Sequence, residues 1–175
     1  MSTIAYRNGM MAADTGMTSA YGARGLFTEK IRRRIDGALA GAVGGAAFCA
    51  KFLDWFMAGS EGDPPKGERI PNGGADMGLV VQADGALRLF EPEGSFPVRA
   101  DYLAIGSGSA EARGAMYAGA DAQGAVAAAI HHDDGTYGGV TVCICADWNE
   151  TGRSSKEVEQ WLKAHQKHAV SAVAQ

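Results

Sequence analysis

Apolar and polar residues alternate along the first part of the chain in short runs that are typical of β-strands. The runs Thr3–Tyr6 and Gly9–Asp14 meet at Asn8-Gly9, a dipeptide that favours a tight hairpin turn. Two further runs predict strands at Phe27–Arg34 and Ala38–Val43, with a Gly-containing turn between them. The chain is therefore predicted to begin with two antiparallel strand pairs.

Helical spacing replaces this alternation after Gly44-Gly45. Apolar side chains recur at intervals of three and four residues between Ala46 and Met57, which predicts an amphipathic helix. The side chains that produce the spacing are Phe48, Phe52, Leu53 and Phe56.

The remainder of the chain continues with grouped strands and grouped helices. A stretch rich in Gly, Pro and charge, Gly59–Asp76, predicts an exposed loop. Further strands are predicted at Met77–Gln82, Ala86–Pro92, Tyr102–Ile105 and Val140–Cys145, and further helices at Ser109–Ala118, Asp121–Ile130 and Ser154–Val170. This grouping indicates an α+β fold with antiparallel sheets, in a single domain spanning residues 1–175.

Composition and charge narrow the function classes. With 46% hydrophobic residues the chain is expected to fold, and a formal charge of −4 disfavours a nucleic-acid binder. The longest apolar run, Gly37–Ala50, is shorter than the roughly 20 residues that span a bilayer. The N-terminus lacks the pattern of a secretory signal, and Cys49, Cys143 and Cys145 are interpreted as reduced thiols, so we expect a cytoplasmic protein without a membrane partner.

Two motifs with potential chemistry are weak on their own. Gly106-Ser107-Gly108-Ser109 could cradle an anion, but the residues of a P-loop or a dinucleotide fingerprint do not follow it, so tight packing is the simpler interpretation. The run His131–Asp134 contains four ligand types, yet adjacent side chains diverge. We therefore predict neither a cofactor nor a metal.

A series of short motifs, taken in order, resembles the proteasome β-subunit superfamily and most closely the bacterial HslV-type peptidase. The matching segments are Ser2-Thr3-Ile4-Ala5, Met11-Ala12-Ala13-Asp14, Glu29-Lys30-Ile31-Arg32-Arg33, Ala40 to Gly45 with Phe52 to Phe56, Ala104 to Gly108, and Asp134 before Gly138-Gly139. Their order and spacing, rather than any single motif, make the resemblance specific.

The resemblance implies an N-terminal nucleophile hydrolase, a four-layer α-β-β-α sandwich whose two antiparallel sheets lie between helices. Ser2, exposed by removal of Met1, would supply both the nucleophilic hydroxyl and, through its α-amine, the base. Lys30 would stabilise the alkoxide and Asp14 would anchor Lys30. The resemblance further assigns an oxyanion-binding N–H to Gly41 and the orientation of the amine to Ser107 and Asp134.

The resemblance also implies a homo-oligomeric ring that cleaves unfolded polypeptides and works with an ATP-dependent unfoldase. Three departures stand out: Ser2 replaces the usual Thr, Tyr137 occupies the place of a Ser three residues after Asp134, and the loop Gly59–Asp76 replaces a helix. Two alternatives remain open, an inactive ring with a structural or binding role and an N-terminal nucleophile amidase acting on a small molecule.

Overall fold

The structure is a computed structural model that describes residues 2–18, 22, 25–70 and 74–145. Its strands are β1 (Thr3–Arg7), β2 (Met10–Asp14), β3 (Gly16–Met17), β4 (Leu26–Phe27), β5 (Ile31–Arg33), β6 (Leu39–Val43), β7 (Arg69–Ile70), β8 (Gly74–Ala75), β9 (Met77–Val81), β10 (Leu87–Glu91), β11 (Gly94–Val98), β12 (Tyr102–Gly106) and β13 (Val140–Ile144). Its helices are α1 (Ala46–Met57), α2 (Ser109–Tyr117) and α3 (Ala122–His132). The predicted helix Ser154–Val170 lies outside the described residues.

Two larger antiparallel sheets organise these elements, and β3–β4 and β7–β8 form two separate two-stranded sheets. The first has the strand order β12-β1-β2-β13, and the second has the order β11-β10-β9-β6-β5. In the first sheet Thr3 lies opposite Gly106, and Ile4 lies opposite Ala13 on the other side of β1. The N-terminal strand is therefore a central strand, with its first residue next to the end of β12.

Side-chain alternation in β1 and β2 gives the first sheet two different faces. Ile4, Tyr6 and Met11 join a buried cluster that also contains residues of the second sheet, whereas Ala5 and Ala12 join a cluster formed with α2 and α3. Because successive residues of a strand point to opposite faces of the sheet, the same strands contact the second sheet with one set of side chains and the helices with the other. One core thus lies between the sheets and another beneath the two helices.

The second sheet packs against α1 through unusually small residues. Ala40 and Ala42 lie in the same cluster as Phe52 and Phe56 of α1, both fully buried. A Cβ at Gly78 would lie 2.2 Å from the ring of Phe52, so glycine at this position makes room for the ring. The predicted helix Ala46–Met57 is confirmed at both ends.

The prediction of one strand over Phe27–Arg34 was wrong. The structure has two short strands there, Leu26–Phe27 and Ile31–Arg33, which belong to different sheets. The chain changes sheets between them, and Lys30 directs its side chain to the buried carboxylate of Asp14. The buried Lys30–Asp14 ion pair therefore lies where the alternation of apolar and polar residues predicted one continuous strand.

Strands β3, β7, β8 and β11 were not predicted. The expected loop Gly59–Asp76 contains a short ladder between Arg69–Ile70 and Gly74–Ala75, and Gly94–Val98 forms an edge strand beside β10. Pro97 is tolerated on an edge, where the missing N–H breaks no ladder. Neither segment has the alternation that identifies a half-buried strand.

None of the helices in the described ranges combines the length and the apolar character that a membrane span requires.

Candidate active site

The site is built around the first residues of β1, which a glycine turn holds in place. The carbonyl oxygen of Ser2 accepts a hydrogen bond from the backbone N–H of Ser107 at 2.9 Å. Gly106, just before Ser107, has φ +101°, and a Cβ there would lie 1.9 Å from the Ser2 carbonyl oxygen. The Gly-Ser-Gly motif therefore allows the end of β12 to close on the N-terminal strand, in agreement with the tight-packing interpretation.

A buried ion pair lies beside this strand. The Nζ of Lys30 donates to Oδ2 of Asp14 at 2.8 Å, and both side chains are almost completely buried. Lys30 also donates to the carbonyl oxygen of Gly16, while Oδ1 of Asp14 accepts from the backbone N–H of Thr3 at 2.8 Å. Burial lowers the pKa of Lys30, and the attraction of Asp14 opposes that shift. The pair thus connects the N-terminal strand to the chain that enters the second sheet.

Ser2 and Lys30 line the same pocket, which has a volume of about 150 Å³. Gly44, at the junction of β6 and α1, lines it as well. The other lining residues are Met17, Thr18, Thr28, Glu29, Arg32, Ala46, Cys49, Ala50 and Leu53. Burial raises the pKa of the Cys49 thiol to about 11, so this cysteine is a neutral wall residue at physiological pH. The pocket therefore brings together a hydroxyl-bearing residue, an ammonium group and a backbone turn.

A carboxylate network involves Ser107, the residue whose N–H donates to the carbonyl of Ser2. Oδ2 of Asp133 accepts hydrogen bonds from the hydroxyls of Ser107 at 2.7 Å and Thr136 at 2.6 Å, and Oδ1 accepts from the backbone N–H of Gly135 at 3.1 Å. Burial acts to raise the pKa of Asp133, but these hydrogen bonds outweigh it and the pKa is lowered. Asp133 is thus held as a carboxylate next to the residue that contacts Ser2.

These contacts involve Asp133, whereas the sequence analysis had assigned the role to Asp134. Asp133 is the C-cap of α3, and its backbone N–H still donates to the carbonyl of Ala129. Asp134 lies one residue further along, and both aspartates line a second pocket together with Thr136 and Tyr137. Thr136, which has a hydroxyl, lies three residues after Asp133, as Tyr137 lies three residues after Asp134.

Thr3 is completely buried, and its hydroxyl is committed to the interior. Its Oγ1 accepts from the backbone N–H of Gly108 at 3.0 Å and lies 2.6 Å from Oγ1 of Thr136. Because Thr136 gives its only hydroxyl proton to Asp133, Thr3 is the donor in its contact with Thr136. Of the two adjacent hydroxyl residues at the N-terminus, Ser2 is the one that lines the pocket.

Gly41, the predicted oxyanion donor, is not among the residues that line the pocket. It lies within β6, where it pairs with Ile31 on one side and Leu79 on the other, and a Cβ there would lie 2.8 Å from the side chain of Ile4. Its lack of a side chain therefore serves the approach of the two sheets. Gly44 follows three residues later with φ +116° and lines the pocket. The sequence signal for it was the Gly-Gly pair just before a strong helix pattern.

Within the ranges that the structure describes, no group of three or more His, Cys, Asp or Glu side chains is arranged to hold a metal ion. The rings of His131 and His132 face each other edge to face, with centroids 4.7 Å apart.

Comparison with known proteins shows similarity at the level of structure. No family model matches the sequence, and no curated protein matches it. Two solved structures of BPH from Thiobacillus denitrificans, one of them in complex with epoxomicin, are similar with a TM-score of 0.57 and 21% sequence identity. The alignment covers 83% of this chain and 98% of the BPH chain. This similarity shows a shared fold, and the function must be argued from the site.

The hydrogen bonds that Asp133 accepts predict that its charge contributes to the stability of the fold. Asp133→Asn should lower the free energy of unfolding at pH 7 by about 1–2 kcal/mol, because hydrogen bonds to a charged group are lost. The lowered pKa means that Asp133 contributes this stability above its unfolded value and loses it as pH falls through the folded value. Urea unfolding from pH 7 to pH 2 should therefore show the difference between parent and Asp133→Asn shrinking below about pH 4. Asp63→Asn, at an exposed aspartate of the 59–76 segment, is the control, and an equal loss of stability there would contradict the assignment.

Proposed function

We propose that this protein is an N-terminal nucleophile hydrolase with the four-layer α-β-β-α architecture of proteasome β-subunits, and that it cleaves peptide bonds with Ser2. The single observation that carries the proposal is the shared pocket of Ser2 and Lys30, with Lys30 held by Asp14 behind it. The three buried clusters support the layered architecture, since they lie between α1 and a sheet, between the two sheets, and between a sheet and α2–α3.

Removal of Met1 would give Ser2 a free α-amine, which has a reference pKa of about 7.7–8.0 and can act as a base near neutral pH. The Ser2 oxygen attacks the carbonyl carbon of the scissile peptide bond, and the hydroxyl proton passes to the α-amine. The ammonium of Lys30 stabilises the serine oxygen as this proton leaves. The electron pair of the carbonyl moves to its oxygen, which the backbone N–H of Gly44 stabilises.

The tetrahedral intermediate collapses by breaking the carbon–nitrogen bond, and the departing amine takes the proton from the α-ammonium. The product remaining on the enzyme is an ester of Ser2. Water then adds to the carbonyl carbon of this ester while the α-amine takes a proton from it, and the bond from that carbon to the Ser2 oxygen breaks to release the acid. The α-ammonium returns the proton to the Ser2 oxygen, which restores the starting hydroxyl and amine. Ser107, bound to both the Ser2 carbonyl and Asp133, is positioned to orient the amine throughout.

Epoxomicin is the compound bound in one of the similar BPH structures, and by its chemistry it is an epoxyketone. A group of this kind can react with a hydroxyl and an adjacent amine to close one ring, which is the chemistry that a free N-terminal Ser2 offers. The fold similarity to BPH thus agrees with the proposal without carrying it.

We propose further that the protein assembles into a homo-oligomeric ring that takes unfolded polypeptides, with an ATP-dependent unfoldase as the partner. Phe48, Phe52 and Phe56 of α1 are buried against the second sheet, so these side chains are not available to a contact between copies. Exposed apolar side chains lie elsewhere, including Phe27 at 65% and Ile35 at 100% exposure. Phe27 precedes the pocket residue Thr28, so burying it between copies would place the pocket near an interface. Native mass spectrometry at micromolar concentration should show an oligomer, and a monomer would contradict the ring.

The identity of the nucleophile can be tested with an epoxyketone and four variants. Parent protein of confirmed processed mass should form a covalent adduct and hydrolyse fluorogenic peptides, because hydroxyl and amine are both present on Ser2. Ser2→Ala should abolish both, and one residue inserted before Ser2 should do the same although the hydroxyl survives. Ser2→Thr should keep both activities, whereas Thr3→Ala should chiefly lower stability because its hydroxyl lies in the buried network. Labelling that survives Ser2→Ala would refute the mechanism.

The role of Lys30 can be separated from its contribution to folding by a pair of variants. Lys30→Met leaves the Asp14 carboxylate buried without its ammonium, which should cost about 3–5 kcal/mol of stability. The double variant Lys30→Met/Asp14→Asn removes both charges and should recover most of that loss. Peptide turnover should stay about 10²–10³-fold below that of the parent in the double variant, because the stabilising charge is still missing. Lys51→Met, on the exposed side of α1, is the control. Normal turnover by the stable double variant would exclude Lys30 from the chemistry.

A further inference from the structure

Asp76 is a buried carboxylate directly behind the turn that leads from β6 into α1. The residue is 7% exposed, and each carboxylate oxygen accepts one backbone hydrogen bond. Oδ1 accepts from the N–H of Gly45 at 2.7 Å, and Oδ2 accepts from the N–H of Glu68 at 3.0 Å. The backbone N–H of Asp76 donates in turn to the carbonyl of Glu68 at 2.9 Å. One side chain thus joins the 59–76 segment to the Gly44-Gly45 turn.

The glycines of this region are required by that carboxylate. A Cβ at Gly44 would lie 2.1 Å from Oδ1 of Asp76, and one at Gly67 would lie 2.7 Å from its Cβ. Gly44 also has φ +116°, a conformation that other residues rarely adopt. Asp76 therefore packs tightly against the backbone of the turn as well as bonding to it.

Asp76 also supplies the cap that α1 lacks in its own sequence. The N-cap residue is Gly45, which has no side chain, and the first turn continues with apolar residues. A carboxylate at this end satisfies a backbone N–H and lies at the positive end of the helix dipole. The helix beginning here contributes Ala46, Cys49 and Ala50 to the wall of the pocket. Asp76 thus orients both the turn and the wall, although it does not line the pocket itself.

We propose that Asp76 is a positioning residue for hydrolysis, holding the Gly44-Gly45 turn so that the N–H of Gly44 meets the oxyanion. This inference rests on the proposed function. It also assigns a role to the segment that replaces a helix in the family pattern, because Asp76 and its partner Glu68 belong to that segment. A change of conformation in this segment would therefore alter the position of the Gly44 N–H through the side chain of Asp76.

The test compares Asp76→Ala with Asp121→Ala in processed protein. Asp121 is the matched control because it caps α3 through the N–H of Gly124 at 2.7 Å, at the opposite end of that helix from Asp133. Both variants lose a helix cap, and each should lower the thermal midpoint by about 2–4 °C. Only Asp76→Ala should lower kcat for a fluorogenic peptide, by about 10²-fold to 10³-fold with little change in KM, because an oxyanion donor is misplaced.

Binding of a peptide boronate provides a readout that a purely structural cap would not move. The boronate forms a tetrahedral adduct with the serine oxygen, whereas the corresponding peptide amide binds without one. Asp76→Ala should weaken boronate binding about tenfold or more relative to amide binding, and Asp121→Ala should leave the ratio unchanged. Should Asp76→Ala fail to fold, Asp76→Asn applies the same test, since it keeps an oxygen for Gly45 but presents an N–H to Glu68.

The outcomes distinguish failure of the role assigned to Asp76 from failure of the proposed function. An active parent whose kcat and boronate-to-amide ratio survive in both Asp76 variants refutes the role of Asp76 and leaves the proposed function intact. A processed parent that neither turns over peptides nor reacts with an epoxyketone refutes the proposed function, and the inference falls with it.

Discussion

The buried ion pair between Lys30 and Asp14 is the constraint on which the candidate site depends. Removing two charges from water is costly, and the cost is offset only when further hydrogen bonds satisfy both groups. Here Asp14 also accepts from the N–H of Thr3, and Lys30 also donates to the carbonyl of Gly16. The N-terminal strand, the β2–β3 connection and the entry to the second sheet are therefore held in one arrangement. Displacing any of them would leave a charge buried without its partner.

Local sequence patterns were sufficient to predict an element where a single interaction determines it. The Asn-Gly hairpin between β1 and β2 and the helix Ala46–Met57 each follow from a turn preference or an apolar periodicity, and both are present. The pairing of Lys30 with Asp14 was reached through the family resemblance, because spacing alone does not distinguish an inward lysine from its arginine neighbours. The strand break before Ile31 was missed for the same reason.

Other features of the site could not be predicted, because the sequence offers neighbouring residues of nearly the same chemistry for the same role. Asp133 and Asp134 have the same chemistry, and the choice between them depends on where α3 ends, to within one residue. Gly41 and Gly44 lie in a run of small residues, and the distinction between a sheet contact and a pocket wall arises only when the two sheets are packed together. Asp76 lies 31 residues after Gly45, and its role as the cap of a distant helix has no local signature.

The hydroxyl of Ser107 has a consequence for the direction of proton transfer in the proposed mechanism. Ser107 and Thr136 each donate a proton to the same oxygen of Asp133, and Thr136 in turn accepts from Thr3. While its proton points to Asp133, the Ser107 oxygen presents only lone pairs elsewhere and can act there only as an acceptor. An α-amine of Ser2 that donates an N–H to this oxygen keeps its own lone pair for the serine hydroxyl. Asp133 would thereby favour, through Ser107, the orientation in which the amine is a base.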